Sequence, residues 1–138
     1  MRKLVGLLLI AVMAVGLFGC SKSNNELFTD EFFEGVVSIR NHGNEPVNDE
    51  QMKPVIEYLK NLKLEKTDEC LTNIDENGNL LYGAFFLSFT MTDGTEIHLL
   101  HNDKKINGRE GYAYILSDKN ENLYAGLKEA FNKAHGEN

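Results

Sequence analysis

The side chains best suited to chemistry are few, and their spacing says what each could do. His98 and His101 form a His-x-x-His pair. On a helix that spacing brings both imidazoles to one metal ion, whereas on a strand residues three apart point to opposite faces. Thr95 to His101 reads as a strand, so chelation by the pair is disfavoured. His98 then falls beside Glu96 and Ser88 on an exposed sheet face, and His101 is expected at the sheet rim. Cys70 has no second thiol at redox spacing and reads as a half-buried small apolar residue. Asn73 to Gly78 matches the opening of a calcium loop, but the twelfth position is Ala84 where a bidentate Glu is needed. A plain Asn77-Gly78 turn is the better reading. Asp118 to Asn122 lacks the loop glycine and reads as helix capping. There is no Gly-x-Ser-x-Gly elbow, no phosphate-cradling glycine loop and no zinc signature. Tyr112, Tyr114 and Tyr82, with Phe86, place aromatics on the second sheet face. They form either a recognition surface or ground for a covering helix, and cover is favoured.

The other cysteine sits in a different context. Arg2 and Lys3 precede an uncharged apolar run from Leu4 to Phe18, closed by Gly19 and Cys20. A positive start and a short apolar stretch make an export signal, and the run falls short of the roughly 20 residues of a membrane span. Leu17-Phe18-Gly19-Cys20 resembles the lipobox of bacterial lipoproteins. The resemblance covers residues 1–20 and implies cleavage between Gly19 and Cys20, with a diacylglyceryl group on the Cys20 sulfur. Phe18 is bulkier than the family's usual residue there. An ordinary secretory signal and an uncleaved anchor are the competing readings. Two acyl chains give stable attachment where one gives marginal binding. The resemblance therefore implies a cell-membrane or outer-membrane location, with the domain on the extracytoplasmic side.

Composition sets the outer limits. The chain has 138 residues, enough for one domain, with 14 Lys+Arg against 21 Asp+Glu and 42% hydrophobic residues. That is too apolar for wholesale disorder. Cleavage would remove 19 of the 138 residues and two of the 14 basic side chains, leaving 119 residues and a charge of -9. An acidic chain is a poor match for nucleic acid and gains nothing from an anionic bilayer. No cofactor is implied.

These groups must be held by a small set of elements. Residues 20–30 read as the lipidated cysteine and a polar tether, with a reach of at most about 35 Å. Residues 31–138 read as the globular domain. Glu34 to Arg40 predicts a strand. Asn48 and Gln51 have capping-box spacing, ahead of the helical repeat Met52, Val55, Ile56, Leu59 and Leu62. Pro54 places the start of regular helix near itself, with a looser turn before it. Leu64 to Ile74 holds a short strand, and Leu81 to Met91 a long one. Thr92-Asp93-Gly94 turns the chain into Thr95 to His101. A two-residue loop would mix the faces of that hairpin. A three-residue loop with Gly94 left-handed pairs Phe89 with Ile97 and Leu87 with Leu99, and puts Ser88 opposite His98. A further strand follows at Arg109 to Leu116. Leu123, Leu127, Ala130 and Phe131 mark a closing helix, in which Gly126 is a blemish.

The expected fold is α+β: an antiparallel meander sheet packed by one or two helices. The expected role is a non-catalytic binding module, anchored by its N-terminal lipid and engaging a protein or another envelope ligand through a sheet face or edge. His98, Tyr112 and Tyr114 are the candidate binding residues. The alternative is a small envelope hydrolase, or an accessory or inhibitor of an enzyme, working through a cleft of acidic residues.

Overall fold

The computed structural model describes residues 23–72, 76–79 and 85–136. Among them run α1 (Asp30–Glu34), β1 (Val36–Asn41), β2 (Val47–Asn48), a 3-10 turn (Asp49–Gln51), α2 (Met52–Asn61) and β3 (Leu64–Lys66). After these come β4 (Phe85–Met91), β5 (Glu96–His101), β6 (Lys105–Asn107), β7 (Ala113–Leu116) and α3 (Leu123–Ala134). The seven strands form one antiparallel sheet in the order β2-β1-β4-β5-β6-β7-β3. The α+β architecture is therefore as expected, with three helices on one sheet face.

The hairpin register follows from alternation. Phe89 pairs with Ile97, Leu87 with Leu99 and Ser88 with His98. Gly94 takes the left-handed conformation at φ 87°, and Met91 N–H donates to the Thr95 carbonyl at 2.8 Å. On the covered side Leu87 and Phe89 are sealed from solvent, with Ile39, Val55, Leu59, Leu123, Leu127 and Phe131. Burying each such side chain contributes about 1.5–3 kcal/mol. In β1 the pairing skips Val37, a bulge that lets both Val36 and Ile39 face the core while Val37 stays 42% exposed.

Several expectations change. The domain begins before residue 31: Leu27, Phe28 and Phe32 belong to the core, and Thr29 caps α1 by accepting from Phe32 N–H. Ser23 to Asp30 is thus folded chain and not tether. The four rings of Phe28, Phe32, Phe33 and Phe89 pack within 5.0–6.4 Å of one another. Asn48 makes no side-chain cap. Asp49 adopts a left-handed φ of 53°, so the capping box gives way to the 3-10 turn, and α2 starts at Met52 with Pro54 in its first turn. The strand expected over 109–116 is only Ala113–Leu116, and β6 precedes it. Residues 81–84 of the long expected strand lie outside the described residues.

Gly126 is a requirement and not a blemish. A Cβ there would meet the Tyr58 hydroxyl at 1.9 Å, because the Tyr58 ring lies across α3 at this point. His101 is fully buried on the covered side, not at the rim, since it follows Ile97 and Leu99 in the same alternation. Cys70 is exposed, not half-buried. It lies in the segment after β3 that folds onto the outer side of the sheet. There the Asn107 side chain holds Leu71 by both its N–H and its carbonyl, each at 2.7 Å.

Candidate functional site

Among the described residues no helix lies on the outer side of β1, β4 and β5, where Ser88 and Leu100 are buried while Arg40, Phe86, Glu96 and His98 are exposed. Side chains there come from alternate positions: Ser38 and Arg40 on β1, Phe86, Ser88 and Thr90 on β4, Glu96, His98 and Leu100 on β5. Phe86 is 44% exposed. The closing helix does not supply the expected cover, because its apolar face, Leu123, Leu127, Ala130 and Phe131, is spent on the core.

His98 stands at the centre. Its Nδ1 lies 2.7 Å from Ser88 Oγ, and its Nε2 lies 3.4 Å from Glu96 Oε2. A carboxylate only accepts, so the neutral ring carries its hydrogen on Nε2 and the Ser88 hydroxyl donates to Nδ1. The Phe86 ring meets the imidazole edge-on at 6.2 Å. Arg40 pairs across with Ser88. Pairing sets these positions, so the patch is held by backbone ladders and not by loops.

A serine, an imidazole and a carboxylate in a row invite comparison with a nucleophilic relay. Such a relay needs convergent N–H donors for a developing oxyanion. On a strand pair those N–H groups are committed to the neighbouring strands, β1 to β4 and β4 to β5. What remains is a patch with one aromatic ring, one imidazole and charges of both signs. That chemistry suits recognition.

The other expected binding residues lie elsewhere. Tyr114 pairs with Ile106 and packs, half-buried, against the core. Tyr112 is exposed just before β7, with the Lys66 ammonium 4.9 Å above its ring. Both line a shallow cleft of about 170 Å³ with Glu26, Lys66, Arg109 and Glu110. The Arg109 guanidinium rests on the Phe32 ring at 4.7 Å. His98 and the two tyrosines are thus two places and not one site. Phase is the reason: the three-residue β6 sets which side of β7 faces inward, and the sequence offers no handle on it.

A wider hollow of about 520 Å³ lies between Tyr58, Lys63, Asp118 and Glu121. The Tyr58 phenol donates to Glu121 at 3.0 Å, and burial, then this carboxylate, pushes its pKa up. Asp118 accepts from Asn120 N–H. These acidic groups are engaged as structural acceptors.

Among the described residues no group of three His, Cys, Asp or Glu is placed to hold a metal ion. Gly19, Cys20, Asn73 to Asp75, Tyr82 and Ala84 lie outside the described residues. Arg40 is the patch residue that sequence reasoning missed, because its neighbourhood depends on a non-local pairing of β1 with β4. No known protein family matches the chain, and no curated protein or solved structure matches it either.

Proposed function

We propose that this protein is a lipid-anchored lipoprotein of the bacterial cell envelope, whose domain binds a partner protein through the open face of β1, β4 and β5. The export signal and the lipobox-like Leu17 to Cys20 support the anchor. One observation carries the binding reading: Phe86 and Val37, large apolar side chains, are more than 40% exposed on or beside a sheet patch that also presents His98, Glu96 and Arg40. Isolated exposed apolar residues are ordinary, but a ring, an imidazole and a guanidinium on one rigid surface match the make-up of interface anchors.

The test is photo-crosslinking of the lipoprotein in its own membrane, with a probe in place of Phe86 and a control probe at Tyr124 on α3. One dominant protein adduct at position 86, absent at 124, is the expected result. Equal background at both positions sinks the binding-face reading.

A further inference from the structure

The start of the folded domain changes what an anchor at Cys20 would do. A tether running to Asp30 would let the domain turn freely. The structure leaves no such tether. Ser23 Oγ donates to the Phe28 carbonyl at 2.6 Å, and Asn24 N–H donates to the Lys60 carbonyl at 2.7 Å. The Asn25 side-chain amide donates to the Leu59 and Leu62 carbonyls, each at 2.9 Å, while its oxygen accepts from Phe28 N–H. Leu59 and Lys60 lie in the last turn of α2 and Leu62 is its C-cap, so the segment adds donors at that helix's C-terminal end. Leu27 and Phe28 then enter the core. Only three residue steps separate Cys20 from Ser23, a span of at most about 11 Å.

The attachment point also has a definite place. α2 ends at Asn61 and the chain enters β3 at Leu64, and Ser117 N–H donates to the Lys63 carbonyl. The cap therefore sits at the β3 edge of the sheet. We infer that a lipid headgroup surface is the partner of this edge: the cap of Ser23 to Asn25 holds the β3 side of the domain against the bilayer and lifts the open face away from it. The inference rests on the lipid-anchor reading. Asn24, Asn61, Lys63, Ser117 and Asp118 make this end polar, which suits contact with headgroups and not insertion. β5, β4 and β1 lie three to five strands from β3, about 14–24 Å at ordinary strand spacing. The binding patch is thereby held at a fixed height above the membrane, facing sideways to a neighbour.

The experiment uses the full lipidated chain in phosphatidylcholine vesicles that carry a nitroxide-headgroup lipid. Cys70→Ser removes the exposed thiol. A fluorophore is then placed by Lys63→Cys, beside the cap, or by Asn48→Cys, on the opposite edge strand β2. The intact mass of the purified chain reports the acyl groups. Strong quenching at 63 and several-fold weaker quenching at 48 is the expected result. Insertion of about twelve Gly/Ser residues between Lys22 and Ser23, an added reach of about 20 Å, is expected to abolish the difference. Equal quenching at both positions with native spacing overturns the orientation and leaves the anchor standing. A chain whose mass shows no lipid overturns the anchor reading, and the orientation with it.

Discussion

The two sides of β4 carry opposite chemistry over the same seven residues. Leu87 and Phe89 point into the helices and are sealed from solvent. Phe86, Ser88 and Thr90 point the other way, onto the open face with His98 and Arg40. One side is built of rings and branched chains that interlock, and the other mixes exposed groups, Phe86, Glu96, His98 and Arg40, with the buried Ser88 and Leu100. The covered side therefore holds the fold together, while the open side can change without unfolding it. That separation is what a binding module needs, because the partner surface can be tuned independently of stability.

The comparison is broken most severely at Phe89. Its ring contacts those of Phe28, Phe32 and Phe33, so Phe89→Ala empties the junction of β4, α1 and the N-terminal cap. A loss of about 3–5 kcal/mol is expected, read as a fall in the urea midpoint. A loss within about 0.5 kcal/mol, the level of a surface substitution, would mean that the phenylalanine cluster is not part of the stabilising side. Gly126→Ala comes next. At an unconstrained helix position this change stabilises by about 0.4–1 kcal/mol. Here the new Cβ would strike the Tyr58 hydroxyl, so a loss of about 1–3 kcal/mol is expected. Tyr58→Ala should reverse the sign, and the double-mutant cycle measures the contact directly.

Much of this contrast is legible in the sequence. The β4–β5 register was legible because two alternating apolar runs meet at a turn with a glycine in the one position that needs it. The closing helix was legible from its period and from Asn122, which does cap it by accepting from Ala125 N–H. The rest failed for identifiable reasons. α1 is five residues long, too short for a period, and follows a polar stretch that looks like a linker. Its Phe-Phe pair becomes meaningful only once Phe28 and Phe89 are beside it. β6 has one apolar residue, Ile106, and owes its strand state to β5 and β7. Tyr114 was assigned to the wrong side for the same reason. His101 was a missed signal: Ile97, Leu99 and His101 share one alternation, so its burial followed from the register already in hand. The candidate patch was half legible. His98, Ser88 and Glu96 came from the hairpin, but Arg40 needed the pairing of β1 with β4.

His101 sharpens the comparison with pH. Its Nε2 lies 3.1 Å from Asn41 Oδ1 and its Nδ1 3.2 Å from the Asn102 carbonyl, both within the fold. Burial holds its pKa below the ordinary 6.5, an effect only partly offset by the Asn102 carbonyl. The unfolded chain then binds the proton more readily than the folded one. The contribution is whole above pH 6.5 and is lost as pH falls from there toward the folded-state pKa. The slope approaches, at most, about 1.4 kcal/mol per pH unit. Urea unfolding between pH 7.5 and 5 should show this slope, and His101→Gln should flatten it. A slope that His101→Gln leaves unchanged would assign the pH sensitivity to other groups.

The smallest expected change in stability comes from the open face and is the most informative about function. Phe86→Ser removes a side chain that is 44% exposed and whose one ring contact among the described residues is with His98. No cavity is left and no buried donor is stranded, so the cost should stay within about 0.5 kcal/mol. The same substitution removes the only aromatic anchor of the proposed patch among the described residues. If the face binds a partner, capture of that partner by a crosslinker placed at His98 should fall by an order of magnitude or more, the effect of losing a contact of about 2 kcal/mol at an interface centre. A Phe86→Ser variant that unfolds would make Phe86 part of the core and erase the contrast between the two sides of β4. A variant that folds normally and still captures the partner would keep the contrast and move the binding surface off this face.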